Sequence, residues 1–204
     1  MTRVAVCIPS LPERTVMCAD TMTTYLAQTT EDLQVSVEAI RGHTQWGEGC
    51  NQLANSGHRL SLDPDDYLLF TCDDAVPRPG ALAAAVAHHR ATGQIPGCRF
   101  YQHGEPMDPS YDAAPHGQVS PWTRIFLLTR ATYAQVGPLL DITWYSDIDY
   151  CQRLNEHGYT ITMCDGFSFD HLDAPRSWAA NGEVQRQHAV YHAACVAGKR
   201  SPLV

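Results

Sequence analysis

The stretch Asp66-Tyr67-Leu68-Leu69-Phe70-Thr71-Cys72-Asp73-Asp74-Ala75-Val76-Pro77 sets the terms for the rest of the chain. Residues 67–71 are a short apolar and aromatic run bounded by turn formers, the pattern of a strand covered on both faces. Val76-Pro77-Arg78-Pro79-Gly80 stops the strand, because proline has no N–H to give to a ladder. Two adjacent carboxylates, Asp73 and Asp74, therefore stand at the carboxyl end of a central strand, where open α/β sheets place their ligands. Neighbouring carboxylates repel, and a divalent cation is the usual means of holding both ionised. An Asp-Asp turn that caps a helix beginning near Gly80 accounts for the same residues, and spacing alone does not separate the two readings.

The 204 residues fit one domain, at most one and a half, with enough chain to bury a core. A net charge of -8 argues against a broad surface that grips nucleic acid through phosphates, though a local patch could still reach such an acceptor. The eight cysteines are scattered, none in a C-x-x-C pair, which reads as buried thiols in a reducing cytoplasm rather than a disulfide framework. Arg3 is followed by only a few apolar residues, so no signal peptide is expected. No apolar run approaches the roughly 20 residues of a membrane span.

Upstream, Arg3-Val4-Ala5-Val6-Cys7-Ile8-Pro9-Ser10 reads as a first strand ended by Pro9. A helix over 14–28 follows, with Val16, Ala19, Met22 or Thr23, and Leu26 as its inner stripe. The alternation in 33–40 predicts the second strand. Trp46-Gly47-Glu48-Gly49-Cys50-Asn51 reads as a glycine-rich turn opening a short helix that Gly57 ends; its amides could receive phosphate oxygens, and an ordinary loop has the same glycines. Downstream, residues 81–92 form an alanine-rich helix capped by Gly93, with His88 and His89 near its C-terminal dipole.

Between Gly93 and Pro121 no period persists. One short strand is expected near Arg99-Phe100-Tyr101-Gln102, then a segment with His103, Tyr111 and His116 that is either an acceptor-facing lid or a surface excursion. Strand pattern returns over 122–129, a short helix over 130–136, and a helix over 144–158 with Ser146 as N-cap and Asp147 and Asp149 in its first turn. Arg153 sits one turn beyond Asp149, the spacing of an intrahelical ion pair. A strand over 160–164, the segment ending in His171, and a last helix over 178–197 complete the chain. His188 and His192 stand four apart on that helix, with no third ligand or glutamate to make a zinc site of them. Alternating strands and helices in the first half call for a parallel sheet with right-handed crossovers.

Six segments in order give the chain a resemblance to family 2 glycosyltransferases of the nucleotide-diphospho-sugar transferase (GT-A) fold. They are Val4 to Ser10, Gly49-Cys50-Asn51, Leu69 to Pro77, Ile125 to Asp141, Ser146 to Leu154 with Gly158-Tyr159, and His171 with Ser177. The resemblance implies an α/β fold, Rossmann-like, with a mostly parallel sheet flanked by helices. It implies a single domain over 1–204: a nucleotide-sugar-binding half over 1–92, a variable loop region over 93–121, an acceptor and catalytic half over 122–177, and a C-terminal helix over 178–204. Three departures stand out: Glu38-Ala39-Ile40-Arg41-Gly42 replaces the family's Asp-x-Gly-Ser, the arginine before Asn51 is missing, and Cys72 replaces the first aspartate of D-x-D.

What the resemblance implies about function is specific. Such an enzyme moves a sugar from a nucleotide diphosphate with inversion, aided by Mn²⁺ or Mg²⁺. Asp74 and His171 would hold the metal, the imidazole favouring Mn²⁺; a hydrogen-bonded surface histidine is the plainer reading of His171. Pro9, Ser10, Leu11, Glu13, Glu38, Gly49, Asn51, Asp73 and Trp122 would contact the donor, a UDP-, GDP- or dTDP-sugar. Asp147 would be the general base, against a simple helix-capping role. Trp122, Trp144 and Tyr145 suit sugar stacking or core packing. The acceptor stays open among glycan, lipid carrier, protein and modified nucleic-acid base, and a homo-oligomer is compatible. Two rivals remain: a non-catalytic nucleotide- or glycan-binding module on the same fold, and a sugar nucleotidyltransferase, whose basic glycine-rich first loop Leu11-Pro12-Glu13-Arg14 lacks.

Overall fold

The computed structural model describes residues 1–42, 45–56, 62–107, 125–141 and 146–172, with Arg186 and Val190 beyond them. Trp122, Trp144, Tyr145, Tyr111, His116, Ser177, His188, His192, Gly57 and the expected last helix lie outside the described residues.

The most apolar strands form the centre. β1 (Thr2–Ser10), β2 (Leu33–Arg41) and β3 (Tyr67–Phe70) are parallel, and β7 (Phe126–Thr129) closes the sheet antiparallel to β3, in the order β2-β1-β3-β7. Successive side chains in a strand face opposite ways, so a sheet buried on both sides feeds two cores. Val4, Val6, Ile8, Tyr67, Leu69 and Leu127 enter one core, and Ala5, Cys7, Leu68, Phe70, Phe126 and Leu128 the other. On the first face lie α1 (Thr15–Leu26), α3 (Ala81–Thr92) and a second sheet, in the order β4 (Ala75–Pro77), β8 (Ile161–His171), β5 (Ile95–Gln102) and β6 (Glu105–Pro106). On the second face lie α2 (Trp46–Ala54), α4 (Arg130–Val136) and α5 (Ser146–Glu156).

The second sheet revises the sequence reading. β3 ends at Phe70, the chain turns through Cys72 to Asp74, and Ala75–Pro77 becomes a separate strand, β4. β5 spans Ile95–Gln102, longer than the expected stub, and pairs in parallel with β8 (Ile161–His171). A tight turn at His103 and Gly104, both at positive φ (52° and 86°), folds β6 (Glu105–Pro106) back on β5. That backbone hand matches the strand twist and is the standard two-residue hairpin solution. The first part of the supposed excursion is therefore sheet; residues 108–121 lie outside the described residues.

α1 also differs from expectation. Val16 (75% exposed) and Leu26 (49%) face outward, while Cys18, Thr21 and Tyr25 are buried. Met22 does pack against the core with Cys18 and Tyr25, but the stripe is rotated from the expected one because Thr21 and Tyr25 also hydrogen-bond to the acidic turn. Six of the seven cysteines among the described residues are buried. Among the described residues no helix is long and apolar enough to cross a membrane.

His88 and His89 look across to the sheets rather than along the helix axis. His88 Nε2 lies 2.8 Å from Thr162 Oγ1, and His89 Nδ1 lies 3.0 Å from Tyr67 Oη with the two rings edge to face. Burial lowers the His89 pKa from its ordinary 6.5, helped by the neighbouring charges of His88 and Arg90. A histidine that protonates less readily when folded leaves the unfolded chain with more bound protons below pH 6.5, so stability falls as pH drops through that value. Thermal melts from about pH 7.5 to about 5.5 should show Tm declining on acidification, with a shallower decline in His89→Gln.

Candidate active site

The carboxyl ends of β1 and β3 meet at the acidic turn. Asp73 is buried, accepting a hydrogen bond from Ser10 Oγ at 2.7 Å and from Arg14 Nη1 at 2.9 Å. The same Arg14 nitrogen reaches Asp74 Oδ2 at 3.1 Å, so one guanidinium spans both acids. Burial lowers the Arg14 pKa, but the hydrogen bonds and charges of Asp73 and Asp74 outweigh it and leave the pKa raised. Arg14 arrives by a short 3-10 turn, Pro12–Arg14, and is itself buried.

The backbone of this turn is held from several sides. Thr21 Oγ1 donates to Asp73 O at 2.7 Å, Tyr25 Oη donates to Ala75 O at 3.2 Å, and Tyr25 Oη meets Thr71 Oγ1 at 2.8 Å. Burial drives the Tyr25 phenol well above its usual range, so it remains a donor. Trp46 Nε1 donates to Thr71 O at 3.1 Å, and Leu172 N to Asp74 O at 2.8 Å. Antiparallel pairing of β4 with β8 sets His171 opposite Ala75, which brings His171 Nε2 within 4.0 Å of Asp74 Oδ2.

The structure thus gathers Ser10, Asp73, Asp74 and His171 in one place. Pro9 is buried at the end of β1, Leu11 is half-buried beyond it, and Glu13 is exposed. Glu38 is half-buried on β2, in register with Cys7. Sequence reasoning missed Arg14, Thr21 and Tyr25. Their signal was available: with Cys18 they fall at 14, 18, 21 and 25, a helical stripe whose members are mostly polar.

Gly49 and Asn51 belong to the other face. The glycine-rich segment is helix α2 itself rather than a turn before it. Gly47 is required because a Cβ there would lie 1.8 Å from Leu140 O and 2.9 Å from Ser146 Oγ. Asn51 is clamped: its amide donates to Leu139 O (2.8 Å) and Asp141 Oδ1 (2.9 Å), and its Oδ1 accepts from Leu139 N (2.9 Å) and Tyr133 Oη (3.1 Å). This clasp ties α2 to Leu139 and Asp141. Ser146 is the first residue of α5, and its hydroxyl donates to Leu140 O at 3.0 Å. Asp147 stands half-buried in the first turn of α5, while buried Asp149 pairs with Arg153 at 2.8 Å across one turn.

At the level of sequence, no protein-family model and no curated protein matches the chain. Solved structures do match. A mannosyltransferase from Pyrobaculum calidifontis in complex with GDP-Man and Mn²⁺ superposes with a TM-score of 0.65 at 14% identity, over 98% of this chain and 66% of its own. The catalytic domain of Drosophila beta1,4galactosyltransferase 7 in complex with xylobiose gives 0.57 at 12%, over 85% and 72%. A mutant of that enzyme in complex with manganese, UDP-Gal and xylobiose gives 0.59 at 12%, over 89% and 74%. The chain has the GT-A fold. The resemblance drawn from the six segments holds at that level, and the chain spans about two thirds of the mannosyltransferase's length.

The packing of α2 in this GT-A chain makes a sharp test. Gly to Ala inside a helix ordinarily gains up to about 1 kcal/mol. Gly47→Ala should instead destabilise by about 1–3 kcal/mol, because Leu140 O must move. Chemical denaturation measures it, and a stabilised variant would refute the close approach.

Proposed function

We propose that the chain is a metal-dependent inverting glycosyltransferase of one GT-A unit, taking a nucleotide-diphospho-sugar as donor. The observation that carries this reading is the alignment of Asp74 with His171 at the carboxyl end of the central sheet, on a fold shared with transferases solved with Mn²⁺ and sugar nucleotides.

The donor set suits such a metal. Among the described residues no group of three or more His, Cys, Asp or Glu could hold an ion unaided. Asp74 and His171 offer an oxygen and a nitrogen 4.0 Å apart, close enough for one ion with ligand distances of about 2.1 Å to reach both. The remaining ligands would come from the donor's diphosphate and water. The ion, when bound, neutralises the charge that gathers on the departing diphosphate.

The protein's own groups supply the rest. Asp73 holds Ser10 and Arg14 in place and keeps lone pairs on both oxygens for a donor hydroxyl. Pro9, Ser10, Leu11 and Glu13 line the β1 exit, and Glu38 stands on the neighbouring strand. Gly49 and Asn51 lie within α2 rather than in a phosphate turn, and Asn51 ties that helix to Leu139 and Asp141. Asp147 takes the acceptor's proton as the new bond forms. The acceptor is a glycan, lipid carrier, protein or modified base.

One observation favours the non-catalytic module instead: the guanidinium of Arg14 already compensates both acids. Calorimetry separates the readings. Wild type and Asp74→Ala are titrated with UDP-, GDP- and dTDP-sugars, with and without Mn²⁺. Metal-dependent binding of one donor, lost in Asp74→Ala, is the expected result; no binding of any donor under either condition would refute the proposal. With the donor known, Asp147→Asn should bind it normally and turn over about 10²- to 10⁴-fold more slowly.

A further inference from the structure

Arg14 is held unequally by the two acids it spans. Asp73 is a fixed anchor, buried and gripped on its other oxygen by Ser10 at 2.7 Å. Asp74 is more open, with 15% of its side chain exposed, and the oxygen that Arg14 contacts at 3.1 Å is also the one that faces His171 at 4.0 Å. Arg14 and a metal bridging Asp74 to His171 therefore want the same oxygen. The unbound acids repel each other, so without a metal some cation must stand between them.

We propose that Arg14 is the resident counter-ion of the metal-free site, yielding Asp74 to an incoming divalent cation while staying anchored on Asp73. This rests on the metal reading of Asp74 and His171 given above. The exchange gives up the hydrogen bond to Asp74 and keeps the one to Asp73, and the anchored guanidinium stays beside the site, where a diphosphate oxygen can replace the contact it gave up. Metal binding alone is thereby weakened, and metal together with an anionic donor is favoured over either by itself. The device keeps the acidic turn ordered between turnovers.

The test reads Mn²⁺ affinity by electron paramagnetic resonance on the full chain without nucleotide. Wild type, Arg14→Gln, Arg14→Lys and Asp74→Ala are compared, with circular dichroism to establish folding. A hydrogen bond to a charged group is enough to shift an equilibrium about tenfold, so Arg14→Gln, which frees the shared Asp74 oxygen, should bind Mn²⁺ at least about tenfold tighter than wild type. Arg14→Lys, which keeps the charge on a shorter stem and holds Asp74 less closely, should fall between them.

A purely structural ion pair predicts unchanged or weaker Mn²⁺ binding in folded Arg14→Gln, and that outcome overturns the proposal. Should Arg14→Gln fail to fold, Arg14→Lys carries the test: binding no tighter than wild type overturns it. Wild type that binds Mn²⁺ through Asp74, with Arg14 variants unchanged, removes only this proposal. Absence of Mn²⁺ binding in every protein removes the metal reading as well.

Discussion

Two aspartates in sequence at the end of a buried strand are an electrostatic liability, and much of the surrounding structure answers it. The compensation is built from β1 and the turn after it: Ser10 and Arg14 reach Asp73, and Arg14 reaches Asp74. A buried arginine is itself expensive unless its charge is matched, so the cluster is stable only as a whole. Removing Arg14 leaves two desolvated carboxylates without their counter-charge. α1 is bound into the same knot, since its inward face carries Thr21 and Tyr25 to the backbone of the turn. The helix is amphipathic in the ordinary sense of having two faces, but its buried face is chosen for hydrogen bonds.

The second constraint is register. β8 pairs in parallel with β5 and antiparallel with β4, so a single strand joins the far edge of the molecule to the acidic turn. A slip of one residue would turn His171 away from Asp74 and move Phe167 and Phe169 out of the core. Both phenylalanines are fully buried, which makes that slip costly. The position of the histidine is thus guaranteed by apolar packing several residues away.

The fold was legible because its central strands are nearly continuous apolar runs, a pattern that only doubly covered parallel strands require. The helix over 130–136 and the Asp149–Arg153 pair follow from local spacing and were equally readable. What failed were inferences that needed a partner distant in sequence. Val76-Pro77 reads as the end of a strand; that it starts another depends on β8, nearly a hundred residues on. Val16 and Leu26 look like core residues until Arg14, Thr21 and Tyr25 claim the inner face. Gly47 and Gly49 look like a loop, because nothing local announces that Leu140 will press against the helix. Asp73 and Asp74 were found as candidates, but their counter-ion Arg14 sits 59 and 60 residues away and carries no motif of its own.

The two faces of the sheet are coupled by α2. Trp46 at its start donates to Thr71, one residue before Cys72 and the acids. Gly47 lets Leu140 O approach, and Asn51 closes on Leu139 and Asp141 from the next turn. Leu140 O in turn accepts from Ser146, the first residue of α5. A single nine-residue helix therefore touches both the backbone beside the acidic turn and, through Leu140 O, the neighbourhood of Ser146. In the proposed enzyme those are the donor side and the residue that deprotonates the acceptor. Their separation is fixed through backbone carbonyls and one asparagine, groups with little freedom to adjust. A transferase needs that rigidity, since the acceptor oxygen must meet the sugar carbon from one side while the diphosphate leaves on the other, and an error of about 1 Å is costly.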